Sequence, residues 1–339
     1  MASPKTINLM KTHALFLLDE FHSHNVYGPA DRKRLEALIC TPFRFLTQLT
    51  ILEDSHDLSE VEVIFSSWGM PLCDETFLDR FPKLKAIFYA AGSVRLFVTD
   101  ALWRREILVS SSNSALSVSV SEFTLAQILL SLKWTWRHAA DTRTARRMIH
   151  HTPPGTYDSV VGLVSIGTVA KKLLSLMRPF HFQIVAYDPF LTQQSARELG
   201  VKLVSLEDLF EISDVVSVHT PWLPETEGMI CGHHFNRMKP GATFINTARG
   251  AVVNEPEMIE ILKHRPDLYA LLDVTWPEPP PPSSPLYDLP NVILTPHIAG
   301  ALGKECQRLG AMAVDEFERY LKGKPLLGQI REEMMAMIA

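Results

Sequence analysis

Three segments of this 339-residue chain hold side chains that could act together on one small molecule. They are NTARG (Asn246 to Gly250), DVTWPEP (Asp273 to Pro279) and TPHIAG (Thr295 to Gly300). Arg249 offers a planar, permanently charged fork that can hold a carboxylate and set a cation beside a carbonyl. Histidine is the side chain suited to giving or taking a proton at physiological pH, which makes His297 the acid/base candidate. Glu278, bonded to the other ring nitrogen, would fix the tautomer and favour the imidazolium. Any one of these alone is more often structural or exposed than reactive. Taken in this order they meet the needs of a 2-oxo acid reduction: an anchor for the acid, a cation near the carbonyl, and a proton delivered as hydride arrives at C2.

A hydride needs a carrier, and VGLVSIGTVAK (Val161 to Lys171) is the candidate turn for one. Laid on G-x-G-x-x-G/A it gives Ser165, Gly167 and Ala170, with the first glycine replaced. A strand-like run precedes it and an amphipathic run follows. The amides of Ser165, Ile166, Gly167, Thr168 and Val169 would then gather at a helix start, where the dipole favours a pyrophosphate. Asp188 ends the next strand candidate, QIVAYD, roughly 20 residues on, where a carboxylate accepts ribose hydroxyls and repels a 2′-phosphate. Asp188-Pro189-Phe190 brings no arginine, so the expected cofactor is NAD rather than NADP. If the turn requires positive φ at Ser165, that residue carries a strain of order 1 kcal/mol that glycine would avoid.

Strand ends must present these groups. HALFLLD, VEVIFSSW, LKAIFYAAG and ILVSSS alternate with helical patterns, and a second series follows: VVGLVSI, QIVAYD, VKLV, DVVSVHTP, ATFINTA, YALLDVT and NVILTPHIAG. Short Val/Ile-rich runs separated by helices predict parallel strands covered on both faces. The fold class is α/β, with doubly wound parallel sheets. Val118 to Trp136 reads as a buried helix between the two series. PEPPPPSSP (Pro277 to Pro285) is a rigid loop following a strand, either a surface connection or part of the lining of the crevice.

Length suits two domains, and 46% apolar with 21% charged residues is a globular balance. A net charge of −5 gives no broad positive field, so nucleic acid is not expected as a partner. The basic run Arg137, His138, Arg143, Arg146, Arg147, His150, His151 reads as a surface or subunit-contact helix. Cys40, Cys73, Cys231 and Cys306 form no C-x-x-C pair and show no His at metal spacing, so they are expected to be reduced core residues with no metal. No signal peptide and no stretch approaching a membrane span are read, which predicts a cytoplasmic protein without a membrane partner.

HTPWLPETEGMI (His219 to Ile230), MKPGATFINTARGAVVNE (Met238 to Glu255), ALLDVTWPEP and LTPHIAG together resemble the D-isomer-specific 2-hydroxyacid dehydrogenase family, over roughly Val63 to Leu321. The resemblance implies that Arg249 is the substrate arginine, Glu278 the acidic partner and His297 the acid/base group. It implies Asp273 at the nicotinamide amide and Thr247 and Ala248 beside the nicotinamide. His219, Thr220 and Pro221 would line the adenosine end, and Thr226 and Gly300, in the same motifs, would complete the cofactor site. Ala91, Gly92 and Ser93 resemble the loop whose amides meet the substrate carboxylate. The implied architecture is a Rossmann NAD-binding domain (116–300) inserted into a flavodoxin-like substrate domain (1–115 with 301–339). The implied partners are a small 2-oxo or 2-hydroxy acid and a second copy of the chain in a homodimer. The alternative is an NADH-sensing, corepressor-like binding protein of the same fold with little turnover. Because no extended tail is read that would carry partner motifs, the enzyme is the expectation.

Overall fold

The structure, a computed structural model, describes residues 11–18, 25–41, 43, 45–53 and 56–336. Most of the segment read for a signal peptide, and Asp19 of HALFLLD, lie outside them. In chain order the strands are β1 (Ala14–Leu17), β2 (Phe45–Leu46), β3 (Val63–Ser66), β4 (Ala86–Tyr89), β5 (Leu108–Ser111), β6 (Tyr157–Val164), β7 (His181–Tyr187), β8 (Lys202–Leu203), β9 (Val215–Val218), β10 (Thr243–Asn246), β11 (Tyr269–Leu272), β12 (Val292–Leu294) and β13 (Gln329–Ile330). The chain divides into two compact units, one running up to Leu116 and resuming at Ala301, the other Ser117–Gly300.

The first unit holds a sheet in the order β13-β5-β4-β3-β1-β2. Its strands pair in parallel except β13, which runs antiparallel to β5. β1, β3 and β4 are buried at every position, so both faces are covered. On one face Phe16, Phe65 and Phe88 stack in a row, and Phe317 of the returning helix Cys306–Leu321 meets Phe65 and Phe88 edge-on. β2 and β13 have only two residues each, too few for a periodic pattern. They exist because an edge offered them partners.

The second unit has the order β12-β11-β10-β9-β6-β7-β8, parallel throughout. From β6 the chain winds outward through β7 and β8, then returns to β9 on the other side. The carboxyl ends of β6 and β9 therefore flank a topological switch point, where doubly wound sheets bind ligands. The helix Thr168–Met177 buries Ala170, Leu173, Leu174 and Met177 against one face, as its amphipathic run predicts.

Two expectations need correction. The helix read from Val118 is Asn113–Leu132, and by length and composition it could cross a membrane, contrary to the reading that no stretch approaches a span. Its buried positions are chiefly hydroxyl residues, Ser117, Ser119, Ser121, Thr124 and Ser131, with Ile128 and Leu132. Ser121 and Thr124 bond back to the carbonyls of Val118 and Val120, whereas the buried hydroxyls of Ser119 and Ser131 meet no partner among the described residues. The four cysteines are also not uniformly core: Cys73 and Cys306 are buried, but Cys40 is exposed and Cys231 half-buried. Of the basic run, Arg137, His138 and Arg143 lie on a helix, Thr135–Ala145, with no buried residue, whereas Arg146, Arg147, His150 and His151 follow its end; Arg137 lies over the Trp134 ring at 4.5 Å.

Candidate active site

The site grows from the carboxyl ends of β10, β11 and β12 in the second unit. Asp273 directly follows β11 and is 3% exposed. Its Oδ1 accepts the Thr295 hydroxyl at 2.6 Å and the Ile298 N–H at 2.9 Å, and its Oδ2 accepts the Ala299 N–H at 2.8 Å. The Asp273 carbonyl also takes the His297 N–H at 3.0 Å. One buried residue thus grips the segment leading to Gly300 at four points. Held this way, His297 sits at φ 54°, a left-handed conformation that costs a non-glycine residue about 1 kcal/mol or more and persists only where the surroundings over-determine it.

His297 Nδ1 lies 2.6 Å from Glu278 Oε1, with the side chains 49% and 36% exposed. The carboxylate takes the Nδ1 proton, leaving Nε2 as the exchangeable position. The Glu278 loop is anchored upstream, where the Trp276 N–H donates to Glu255 Oε2 at 3.0 Å. Burial raises the Glu255 pKa and this bond opposes it. Trp276 then packs edge-on against Trp222 with centroids 4.5 Å apart.

Arg249 is placed by two other devices. Asn246, 1% exposed at the end of β10, accepts the Ala248 N–H and donates to the Arg249 carbonyl, each at 3.0 Å, which closes the turn on itself. A Cβ on Gly250 would lie 2.0 Å from the Thr275 carbonyl carbon, so only glycine lets the Arg249 loop pass against the strand end that leads to Glu278. The guanidinium donates to the Ala248 carbonyl at 2.7 Å. Desolvation lowers its pKa and the Glu278 charge opposes this; arginine starts so high that it stays cationic.

At the cofactor turn, Ser165 has φ 71°, the geometry for which the motif calls for glycine. Its N–H reaches the Tyr187 carbonyl at 2.8 Å, and its hydroxyl lies 2.9 Å from the Thr220 hydroxyl. Gly167 caps the helix with no side-chain bond to the first-turn amides, and a Cβ there would meet nothing within 4 Å. Open space before the uncapped N–H groups of Thr168 and Val169 fits a pyrophosphate. Asp188 departs from expectation: its Oδ2 accepts the Ile166 N–H at 2.7 Å, and its Oδ1 those of Phe190 and Leu191 at 2.8 and 3.1 Å. Three of roughly four acceptor positions are spent, so it cannot take both ribose hydroxyls without releasing a backbone bond. Asp273 likewise has about one acceptor position left for a nicotinamide amide.

His219 loses its water to the surrounding protein, which pushes its pKa down to about 4, and its Nε2 lies 3.1 Å from the Ser217 hydroxyl. It is neutral at pH 7 and adds no cation beside Pro221. The Thr226 hydroxyl is used within its own loop, on the Pro221 carbonyl and the Leu223 N–H. Thr247 meets Thr124, hydroxyl to hydroxyl, at 3.1 Å. In the first unit, Ser111 holds the carbonyls of Ala91 and Gly92 at 3.0 and 2.6 Å, while the N–H groups of Gly92 and Ser93 meet no acceptor among the described residues. The structure thus joins Glu278 with His297, Ser165 with Thr220, and Ile166 with Asp188. The positioning roles of Asn246, Gly250, Glu255 and Thr295 were missed by sequence reasoning; the only signal was that Asn246 and Gly250 bracket the arginine in NTARG.

A sequence model described as the D-isomer specific 2-hydroxyacid dehydrogenase NAD binding domain matches residues 125–299. A glyoxylate reductase of Korarchaeum cryptofilum is 30% identical over 284 residues, 82% of this chain and 85% of that one. A D-3-phosphoglycerate dehydrogenase of Archaeoglobus fulgidus is 29% identical over 256 residues, which are 75% of this chain but only about half (48%) of that relative's length. In fold, the chain is similar to the D-mandelate dehydrogenase of Rhodotorula graminis at a TM-score of 0.76 and 24% identity, covering 94% of this chain and 98% of that one. With a switch-point turn open to a pyrophosphate, a carboxylate-backed histidine and a matching model over half its length, this chain belongs to the D-isomer-specific 2-hydroxyacid dehydrogenase family and carries that family's NAD-binding domain.

Proposed function

We propose that this chain is an NAD-dependent oxidoreductase acting at C2 of a small D-2-hydroxy or 2-oxo acid. The observation that carries the reading is the 2.6 Å contact between His297 Nδ1 and Glu278 Oε1, on a backbone strained and gripped to hold it. When bound, the nicotinamide supplies or takes the hydride. In the reductive direction the His297 imidazolium gives its Nε2 proton to the oxygen at C2. Glu278, accepting from Nδ1, keeps a partner for the ring in both charge states, so the proton can leave and return without the ring turning. Arg249, desolvated and cationic, holds the substrate carboxylate in a bidentate pair and polarises the neighbouring carbonyl. Lysine could not do this, because a point charge has no fork.

The test is absorbance decay of NADH, and of NADPH in parallel, with pyruvate, glyoxylate, hydroxypyruvate and branched 2-oxo acids, on the wild type and on His297→Asn. Turnover with at least one acid, falling at least about a hundredfold in His297→Asn while NADH fluorescence titration is unchanged, is the expected result. NADH binding with no acid consumed would instead favour a nucleotide-sensing protein.

A further inference from the structure

Elsewhere in the second unit, the turn Cys231-Gly232-His233-His234 follows Ile230, which bridges to Val253. It opens the short helix Gly232–Arg237, packed between the helices Leu206–Ile212 and Glu255–His264. Both imidazoles turn the same nitrogen toward one sulfur: Cys231 Sγ lies 3.1 Å from His233 Nδ1 and 3.6 Å from His234 Nδ1. All three donor atoms lie within 4.8 Å of one another. Around a tetrahedral zinc ion, a thiolate sulfur and an imidazole nitrogen stand roughly 3.5 Å apart, so the tripod is already close to a coordination face.

The protonation pattern also suits an ion. The Cys231 N–H donates to His234 Nδ1 at 3.1 Å, so that ring carries its proton on Nε2 and has its lone pair at Nδ1. His233 Nε2 lies 3.9 Å from Glu207 Oε1, too long for a hydrogen bond, so a carboxylate stands near this ring without fixing it. Sequence spacing had shown no histidine at metal distance from a cysteine. C-x-H-H escapes the usual spacings because a single turn folds two adjacent rings back onto the sulfur.

We propose that Cys231, His233 and His234 bind one zinc-class transition-metal ion, with the fourth position open to water. One thiolate and two imidazoles select zinc-like ions over magnesium or calcium, which want oxygen. Binding forms one metal–sulfur and two metal–nitrogen bonds and releases the Cys231 thiol proton to solvent. His234 exchanges its hydrogen bond from the Cys231 N–H for the metal. The site uses none of the residues of the hydride-transfer reading and stands independently of it.

Cobalt(II) is the probe, titrated into the metal-free chain. The expected result is one equivalent bound, with a thiolate-to-cobalt charge-transfer band, intense visible bands of a four-coordinate ion, and displacement by one equivalent of zinc. Cys231→Ser should abolish the charge-transfer band and weaken binding at least about a hundredfold, and His233→Ala at least about tenfold. His233 is exposed, so its variant reports on binding without threatening the core, and circular dichroism checks both folds. Cys40→Ser, removing the exposed thiol, should change nothing. Overturning results are a charge-transfer band that survives Cys231→Ser, binding of several equivalents indifferent to both variants, or no stoichiometric binding.

Discussion

Two non-glycine residues that follow the carboxyl ends of strands in the second unit hold positive φ, Ser165 at 71° and His297 at 54°, and they are held in opposite ways. The His297 segment is gripped from outside by one buried aspartate with four bonds, three to its carboxylate and one to its carbonyl, and the His297 side chain remains available to Glu278. At Ser165 the residue's own hydroxyl is part of the restraint, reaching Thr220, while Asp188 holds the next amide. A strained residue whose side chain is left unspent by its restraints is one whose side chain has other work. That difference fits the acid/base role proposed for His297, while Ser165 stands where the motif calls for glycine.

The comparison breaks most visibly at Asp273. Asp273→Asn keeps the volume but sets an amide N–H against a backbone N–H, so the grip fails. Turnover should fall about a hundredfold or more, with about 3 kcal/mol lost in urea unfolding. A variant with wild-type kinetics would mean that the grip does not matter for His297. Gly250→Ala asks whether the Arg249 loop depends equally on an external contact, because its Cβ would strike the Thr275 backbone. Loss of roughly 2–4 kcal/mol is expected, with KM for the 2-oxo acid raised more than kcat is lowered.

A smaller effect concerns His219, near the Ser165 turn. Its folded pKa of about 4 is below the ordinary histidine value, so below about pH 6.5 the unfolded chain binds the extra proton. Its stability contribution is present above that pH and is lost as pH falls toward 4, by roughly 1–3 kcal/mol. His219→Gln should flatten this part of the stability–pH curve, and an unchanged slope would show that another group titrates. Smallest is the pair at Ser165 itself. Ser165→Gly relieves the strain and should gain up to about 1 kcal/mol; Ser165→Ala keeps the strain, loses the Thr220 contact and should cost about the same. Shifts of the same sign would reject strain as the distinguishing feature.

Much of this was legible from residue order. Parallel strands buried on both faces leave continuous Val/Ile runs, so β3, β4, β6, β9, β10 and β11 were readable, as was the amphipathic Thr168–Met177 helix. The hydroxyl-lined burial of Asn113–Leu132 was not, because which face of a helix is buried is set by what packs against it rather than by its composition.

Residue types and their order determined which chemistry was available: a fork-shaped cation, a neutral-range acid/base group and a carboxylate, each just past a strand, with a turn suited to phosphate. They could do so because strand periodicity and side-chain pKa are local properties. Tertiary structure alone decided how the carboxylates are employed. Asp273 is spent on Thr295, Ile298 and Ala299 and one oxygen of Asp188 on Ile166, because hydrogen bonds between distant segments exist only once the sheet has brought their ends together.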